Sequence, residues 1–206
     1  MAPAPAPSRP VARSQPPARR SEVSPAAAAT SRVAAPKPEP EAGLVISYAA
    51  PGCVIAHIRN MTFSAWDRAP TVEHVEAFMA LADKLSAIYP QNSNVTLVMR
   101  NTELPGAEAK ASLEVLTARY ARAIHSVALV VDGDGFWASM IRSFLTGLHL
   151  LRGNGYRCKA FATPAEATPW LLPRHNADTG VALSEDEMKS ACAAVIARMG
   201  REGAGP

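Results

Sequence analysis

The feature that most constrains the fold is a series of short apolar runs that alternate with segments of helical periodicity. The clearest run is 127–131 (VALVV), which is followed by the acidic glycine turn 132–135 (DGDG). Continuous β-branched runs of this kind are typical of strands that are covered on both faces of a sheet. Apolar side chains then recur every three or four positions, which predicts a helix over about 135–152. We therefore expect 127–131 to be the central strand.

Similar units fill residues 43–173. The runs 44–50 (LVISYAA) and 53–60 (CVIAHIRN) flank a proline–glycine turn and predict an antiparallel hairpin, followed by a loop at 61–70. Beyond it, the pattern predicts helices at about 71–89 and 107–124, strands at 94–100 and 156–162, and a short helix after Thr163. This order predicts an α/β fold with a mixed, mostly parallel sheet of about five strands and helices on both faces.

The two ends of the chain have a different character. Residues 1–42 contain 10 of the 18 prolines, long alanine runs, and six basic against three acidic residues. Such a segment cannot offset its ordering entropy by burial, so a disordered, basic, polyproline-like tail is expected. Residues 174–183 are predicted to be a linker before a C-terminal helix that begins at the capping box 184–187 (SEDE). We expect this helix either to dock on the domain or to serve a partner.

Charge and cysteine content exclude several classes of function. The basic excess lies in the tail, because 43–206 holds equal numbers of basic and acidic residues, so no nucleic-acid groove is predicted. The three cysteines, Cys53, Cys158 and Cys192, are widely spaced without a CxxC pair, which argues against disulfides and structural zinc. No apolar run reaches the length of a membrane span. We expect a soluble, cytoplasmic protein without a metal or cofactor.

The turn after 127–131 contains the sharpest local motif. Two carboxylates, Asp132 and Asp134, in a D-x-D arrangement at the end of a strand could hold magnesium and attack a phosphoryl group. No second acidic pair follows another predicted strand, so a plain turn in which Asp134 caps the helix is the favoured interpretation. A magnesium-dependent phosphatase remains the weakest of three alternatives.

The predicted third helix carries more apolar surface than one core-facing stripe requires. Phe136, Trp137 and Met140 begin this surface, directly after the acidic turn. Most of it is expected to pack against the sheet, but an exposed edge would suit a protein partner or an apolar ligand beneath the helix. Aromatic residues at such an edge are typical binding hot spots.

The order of elements, the strand VALVV leading into an apolar helix, and the closing segment FATPAEATPWL together resemble a known family. They are similar to STAS-like domains related to anti-sigma-factor antagonists, most closely the SpoIIAA-like branch. The branch ends in a strand with phenylalanine and an acidic-alanine helix closing on Trp-Leu. The matching residues here are Phe161, Glu166, Ala167, Trp170 and Leu171.

The resemblance implies a non-enzymatic regulatory module that binds a protein partner. Classical antagonists carry an Asp-Ser phosphorylation site in the loop after the third strand. The corresponding loop, 100–106 (RNTELPG), has no such pair, and Thr102 is its one hydroxyl, so the usual switch is not expected. The predicted partner-binding residues are Thr102, Asp132, Asp134, Phe136, Trp137 and Met140. The alternatives are a protein that binds a small apolar ligand or lipid, and a homodimer.

Overall fold

The computed structural model describes residues 43–100, 102–133, 138–141, 143 and 156–203. The predicted tail at 1–42 and most of the predicted third helix lie outside these residues.

Six strands form one sheet, and their order in the sheet is their order in the sequence. The strands are β1 (Val45–Ala50), β2 (Cys53–Ile58), β3 (Met61–Trp66), β4 (Asn92–Val98), β5 (Ile124–Val131) and β6 (Arg157–Phe161). The first three are antiparallel to one another, whereas β3, β4, β5 and β6 run parallel. The prediction of a mixed, mostly parallel α/β sheet is confirmed.

Two details of that prediction are wrong. The segment predicted as a loop at 61–70 contains β3, so the sheet has six strands rather than five. Its signal was present, because apolar Met61, Phe63 and Ala65 alternate with Thr62 and Ser64. The turn that precedes it contains no glycine or proline to mark it in the sequence. Arg59 adopts the positive φ of 50° there instead.

The apolar strand β5 is not the centre of the sheet. It lies second from the edge, next to β6, and the middle positions belong to β3 and β4. Its residues 126–131 are nevertheless buried, because helices cover both faces of the sheet. The uniformly apolar run therefore correctly predicted a strand covered on both faces, but its predicted position at the centre of the sheet was wrong.

Four helices with described boundaries cover the two faces. On one face lie α1 (Val72–Ile88) and α2 (Ala107–Tyr120), and on the other lie α3 (Pro164–Thr179) and α4 (Glu185–Gly203). The predicted starts of α1, α3 and α4 are confirmed. The hydroxyls of Thr71, Thr163 and Ser184 each accept a hydrogen bond from the backbone N–H of the residue three positions later.

The C-terminal segment is part of the core. The predicted linker at 174–183 is helical as far as Thr179, and α3 continues through Pro169 and Pro173. Burial of Ala167, Leu171 and His175 along α3 offsets the backbone hydrogen bonds that these prolines lack. Helix α4 docks on the domain, and the buried side chains that it contributes are Met188, Ala191, Cys192, Val195 and Met199.

Arg59 ties this segment to the sheet. Its guanidinium donates to the carbonyl oxygen of Ala182 and to Glu187 Oε1, the latter at 2.6 Å. The backbone and hydroxyl of Ser184 bond to Glu187, and these bonds together with Arg59 hold the pKa of that carboxyl below its ordinary value. One side chain from the β2–β3 turn thus fixes the connection between α3 and α4.

The buried imidazole of His175 should make the fold sensitive to acid. It is 1% exposed, and burial lowers its pKa from 6.5 to about 4, with the Arg59 charge adding to the shift and the Val181 backbone opposing it. Below pH 6.5 the unfolded chain takes up a proton that the folded state refuses, so stability falls as the pH drops toward 4. The loss is on the order of 3 kcal/mol.

Urea unfolding of wild type and His175→Leu between pH 7.5 and 4 measures this loss, because carboxylates titrate equally in both proteins. The difference in unfolding free energy between them should change by roughly that amount, about 3 kcal/mol, across the interval. Parallel pH profiles for the two proteins would show that His175 is not the group responsible.

Candidate functional site

A cavity of about 210 Å³ lies between α2 and the sheet, and we call it the α2 cavity. Helix α1, the loop after β4 and the helical residues near 141 complete its walls. Residues on its boundary include Ser64, Trp66, Phe78, Asn94, Thr96, Thr102, Leu104, Leu113, Leu116, Thr117, Leu129 and Ile141. Most of its surface is apolar, with a small polar region on the sheet side.

The cavity exists because α2 touches the rest of the domain mainly near its ends. Ala109 and Tyr120 are its buried residues, whereas Leu113 and Leu116, between them, are only half-buried. The Tyr120 hydroxyl donates to Asp83 Oδ1 at 2.6 Å and also lies 3.0 Å from the Met79 carbonyl oxygen, which ties this end of α2 to α1. Burial, reinforced by the bond to Asp83, raises the pKa of Tyr120 to about 12.

The sheet side of the cavity is polar because β3 and β4 place hydroxyls and an amide on this face. Alternation puts Thr62 and Ser64 of β3 beside Asn94 and Thr96 of β4, their register partners. The groups are joined in a row: Ser64 Oγ lies 3.3 Å from Thr96 Oγ1, which lies 2.6 Å from Asn94 Oδ1. Asn94 Nδ2 lies 2.9 Å from Thr62 Oγ1.

Thr96 is the residue of this row that reaches open space. It belongs to a middle strand of the sheet, yet it is only half-buried, whereas Ser64 and Asn94 are buried. A side chain at the middle of a covered sheet face is normally buried, so its exposure marks where α2 fails to close over the sheet. The sequence signal was the alternation of Asn94 and Thr96 with apolar neighbours in a predicted strand, which we did not interpret as a site.

Thr102, a predicted partner-binding residue, is an internal anchor of its loop. It is 4% exposed, and its hydroxyl lies 2.8 Å from the Trp66 carbonyl oxygen and 2.7 Å from that of Met99. Because both hydrogen-bond acceptors near this hydroxyl are backbone carbonyl oxygens, the side chain holds the loop against the end of β3. A phosphoryl group on Thr102 would have to break both contacts.

Two other predicted residues lie at the surface. Asp132 follows β5 with an exposed side chain, and its backbone N–H donates to the Val98 carbonyl oxygen at 2.8 Å. Met140 is 40% exposed. The remaining predicted residues, Asp134, Phe136 and Trp137, lie outside the described residues, so the Asp132–Asp134 pair is not placed.

Gly133 occupies the turn after Asp132 in a conformation that other residues rarely adopt. Its φ is 106°, and a Cβ at this position would lie 3.3 Å from Nε of Arg100. The turn therefore requires glycine for its backbone and for the close approach of Arg100.

Metal ligands and membrane spans were also sought in the described residues. Within those ranges, no three His, Cys, Asp or Glu side chains are grouped so that they could hold a metal ion. None of the helices described there combines the length and apolar character needed to cross a membrane.

Comparison with known proteins gives a structural likeness but no match to a family or a curated protein. Among solved structures, a similar chain is an uncharacterised protein of the DUF3478 family with a SpoIIAA-like fold from Shewanella loihica PV-4. The identity is 15%, with 63% of this chain and 94% of that chain covered and a TM-score of 0.45. That description names the fold that the sequence resembles, but so weak a likeness says nothing about ligand, partner or reaction.

Removing the Thr102 hydroxyl should destabilise the domain. In Thr102→Val one buried hydroxyl bond is lost, while the carbonyl oxygens of Trp66 and Met99 keep their bonds from the N–H groups of Met99 and Thr102, so the unfolding free energy should fall by about 1 kcal/mol. Thr102→Ser, which keeps the hydroxyl, is the matched control and should lose clearly less. Equal stability of Thr102→Val and wild type in urea unfolding would show that the hydroxyl is not a structural anchor.

Proposed function

We propose that this domain binds a small, largely apolar molecule in the α2 cavity. The observation that carries the proposal is the cavity itself: about 210 Å³ of space with apolar walls and a few polar groups on one side. Pockets that bind small molecules have this composition, with apolar lining for affinity and a few polar groups for orientation. The role involves binding, with no bond chemistry assigned to the domain.

The size of the cavity suggests the size of the ligand. A cavity of about 150 Å³ lined by apolar side chains accommodates a benzene molecule. A space of about 210 Å³ is therefore suited to a molecule near the size of two fused aromatic rings. Naphthalene is a convenient probe, because it has this size and carries no polar group.

Filling the cavity should abolish binding. Leu113 borders the cavity and Val115, two residues along α2, is 58% exposed, so the two positions lie on different sides of one helix. Leu113→Trp should weaken naphthalene binding at least tenfold, since the indole would occupy the space of the ligand. Val115→Trp is the matched control and should bind as wild type does.

Titration with naphthalene followed by two-dimensional amide NMR measures both affinity and location. Shifts are expected in the elements that border the cavity, which are α1, α2, β3, β4, β5, the loop after β4 and the residues near 141. Undiminished binding by Leu113→Trp, or no binding by the wild type, would refute the proposed function.

A second candidate is recognition of a regulatory protein partner, as the sequence resemblance implies. The observation that favours it is the exposure of two large apolar side chains, Leu104 at 42% and Met140 at 40%, on segments that adjoin the cavity. With the exposed carboxylate of Asp132, they would form a mixed apolar and acidic surface. Thr102 is not part of this surface, and Asp134, Phe136 and Trp137 stay partner-binding residues predicted from the sequence.

Introducing a negative charge at an apolar position of that surface should test whether partners bind there. Met140→Glu should remove partners captured from cell extract by the purified protein, whereas Val115→Glu, at another exposed apolar position, should not. Light scattering of the isolated protein would show whether the partner is a second copy of the chain. Identical capture by both variants would exclude the Met140 surface.

We also propose that the protein works in the reducing cytoplasm. Cys53, Cys158 and Cys192 are free thiols, and burial raises the pKa of each to about 12. Thiols of this kind behave as small core side chains with little reactivity, as a chain without disulfides requires.

A further inference from the structure

The serine and threonine hydroxyls on the boundary of the α2 cavity share one property: their hydrogens are already donated elsewhere. On α2, the Thr117 hydroxyl donates to the Leu113 carbonyl oxygen at 2.7 Å. In the loop after β4, the Thr102 hydroxyl has only carbonyl oxygens as neighbours. Because a backbone carbonyl can only accept, the direction of these bonds is fixed.

The direction of the row across β3 and β4 is fixed in the same way. At its far end the Thr62 hydroxyl donates to the Ser93 carbonyl oxygen at 3.3 Å, so Thr62 accepts from Asn94 Nδ2. The amide of Asn94 is then oriented with Oδ1 toward Thr96, and Oδ1 can only accept. Thr96 therefore gives its one hydrogen to Asn94.

The near end of the row follows from this step. With its hydrogen used, Thr96 can only accept from Ser64, so Ser64 donates its hydrogen to Thr96. The half-buried Thr96 is left with an unused lone pair on Oγ1, and Thr117 has lone pairs in the same state. Both residues border the cavity.

Charged groups near the cavity do not reverse this character. The lining contains the carboxylates of Glu103 and Glu114 and the ammonium group of Lys110. Lys110 and Glu103 are exposed to solvent, so the ammonium group can remain hydrated outside the apolar space. An anion placed against Ser64 and Thr96 would meet oxygen atoms whose hydrogens are already donated.

We infer that the α2 cavity selects neutral apolar molecules that carry an O–H or N–H donor, in preference to molecules with only acceptors and to carboxylates. The inference rests on the proposed function and names the ligand class for the same site. A donor would bond to Thr96 or Thr117, whereas an acceptor or a carboxylate would receive no hydrogen from either hydroxyl and would lose water there without replacement, at a larger cost for the carboxylate.

A matched series of two-ring compounds tests this selectivity: 2-naphthol, 2-methoxynaphthalene, 2-naphthoate and unsubstituted naphthalene. With the full chain at neutral pH, 2-naphthol should bind about tenfold more tightly than 2-methoxynaphthalene, the equivalent of one hydrogen bond. 2-Naphthoate should bind more weakly than naphthalene. Tighter binding of 2-methoxynaphthalene or 2-naphthoate than of 2-naphthol would overturn the inference while leaving the proposed function standing.

Variants locate the acceptors. Valine has the shape of threonine without its hydroxyl, so Thr96→Val with Thr117→Val should reduce the preference for 2-naphthol over 2-methoxynaphthalene to about twofold or less. Naphthalene affinity, which measures whether the cavity is intact, should stay within about twofold of wild type. A preference that survives in this double variant would contradict the assignment, and failure of every compound to bind wild type would refute both the inference and the proposed function.

Discussion

The structure depends on the different chemistry of the two faces of β3 and β4. On the face toward α3 and α4, Phe63, Val95 and Leu97 meet Leu171 and Met188, and these side chains are almost completely buried. On the opposite face the same two strands present hydroxyls and an amide. An apolar face can be sealed by any helix of suitable shape, whereas a polar face must first satisfy its own hydrogen bonds. The same pair of strands thus contributes one face to the buried apolar core and the other face to the wall of the α2 cavity.

The polar side chains of β3 and β4 satisfy most of their hydrogen bonds with one another, and this has a consequence for the packing of α2. Each side chain of the row donates a hydrogen bond to the next, and the last one, Thr62, donates to the Ser93 carbonyl oxygen. The row can therefore be buried without hydrogen bonds from α2. Helix α2 is fixed instead near its ends, by the burial of Ala109 and by the bond from Tyr120 to Asp83. Its middle turns are therefore free to stand away from the sheet, and the space beneath them becomes the candidate site.

Local sequence signals predicted the fold better than the site. Caps at Thr71, Thr163 and Ser184, and the strand character of runs such as 127–131, depend on nearest neighbours and were predicted correctly, whereas the position of 127–131 within the sheet was not. The strand β3 was missed because its turn uses Arg59 at positive φ instead of glycine. The cavity could not be predicted, since it depends on the distance between α2 and the sheet, which no local pattern contains. Thr102 looked accessible in a polar loop, but its hydroxyl is turned inward by two backbone carbonyls.

The position of α4 also has a consequence for synthesis of the protein. Its buried residues cover β2 and β3, and the Arg59–Glu187 contact joins positions 128 residues apart. While the ribosome is still translating the intervening residues, the apolar face formed by Phe63 and Val95 has no partner. Contacts this distant in sequence form slowly, and the exposed face in the meantime favours aggregation. We therefore expect the nascent chain to be prone to aggregation until residues 188–199 have left the ribosome and closed over the sheet.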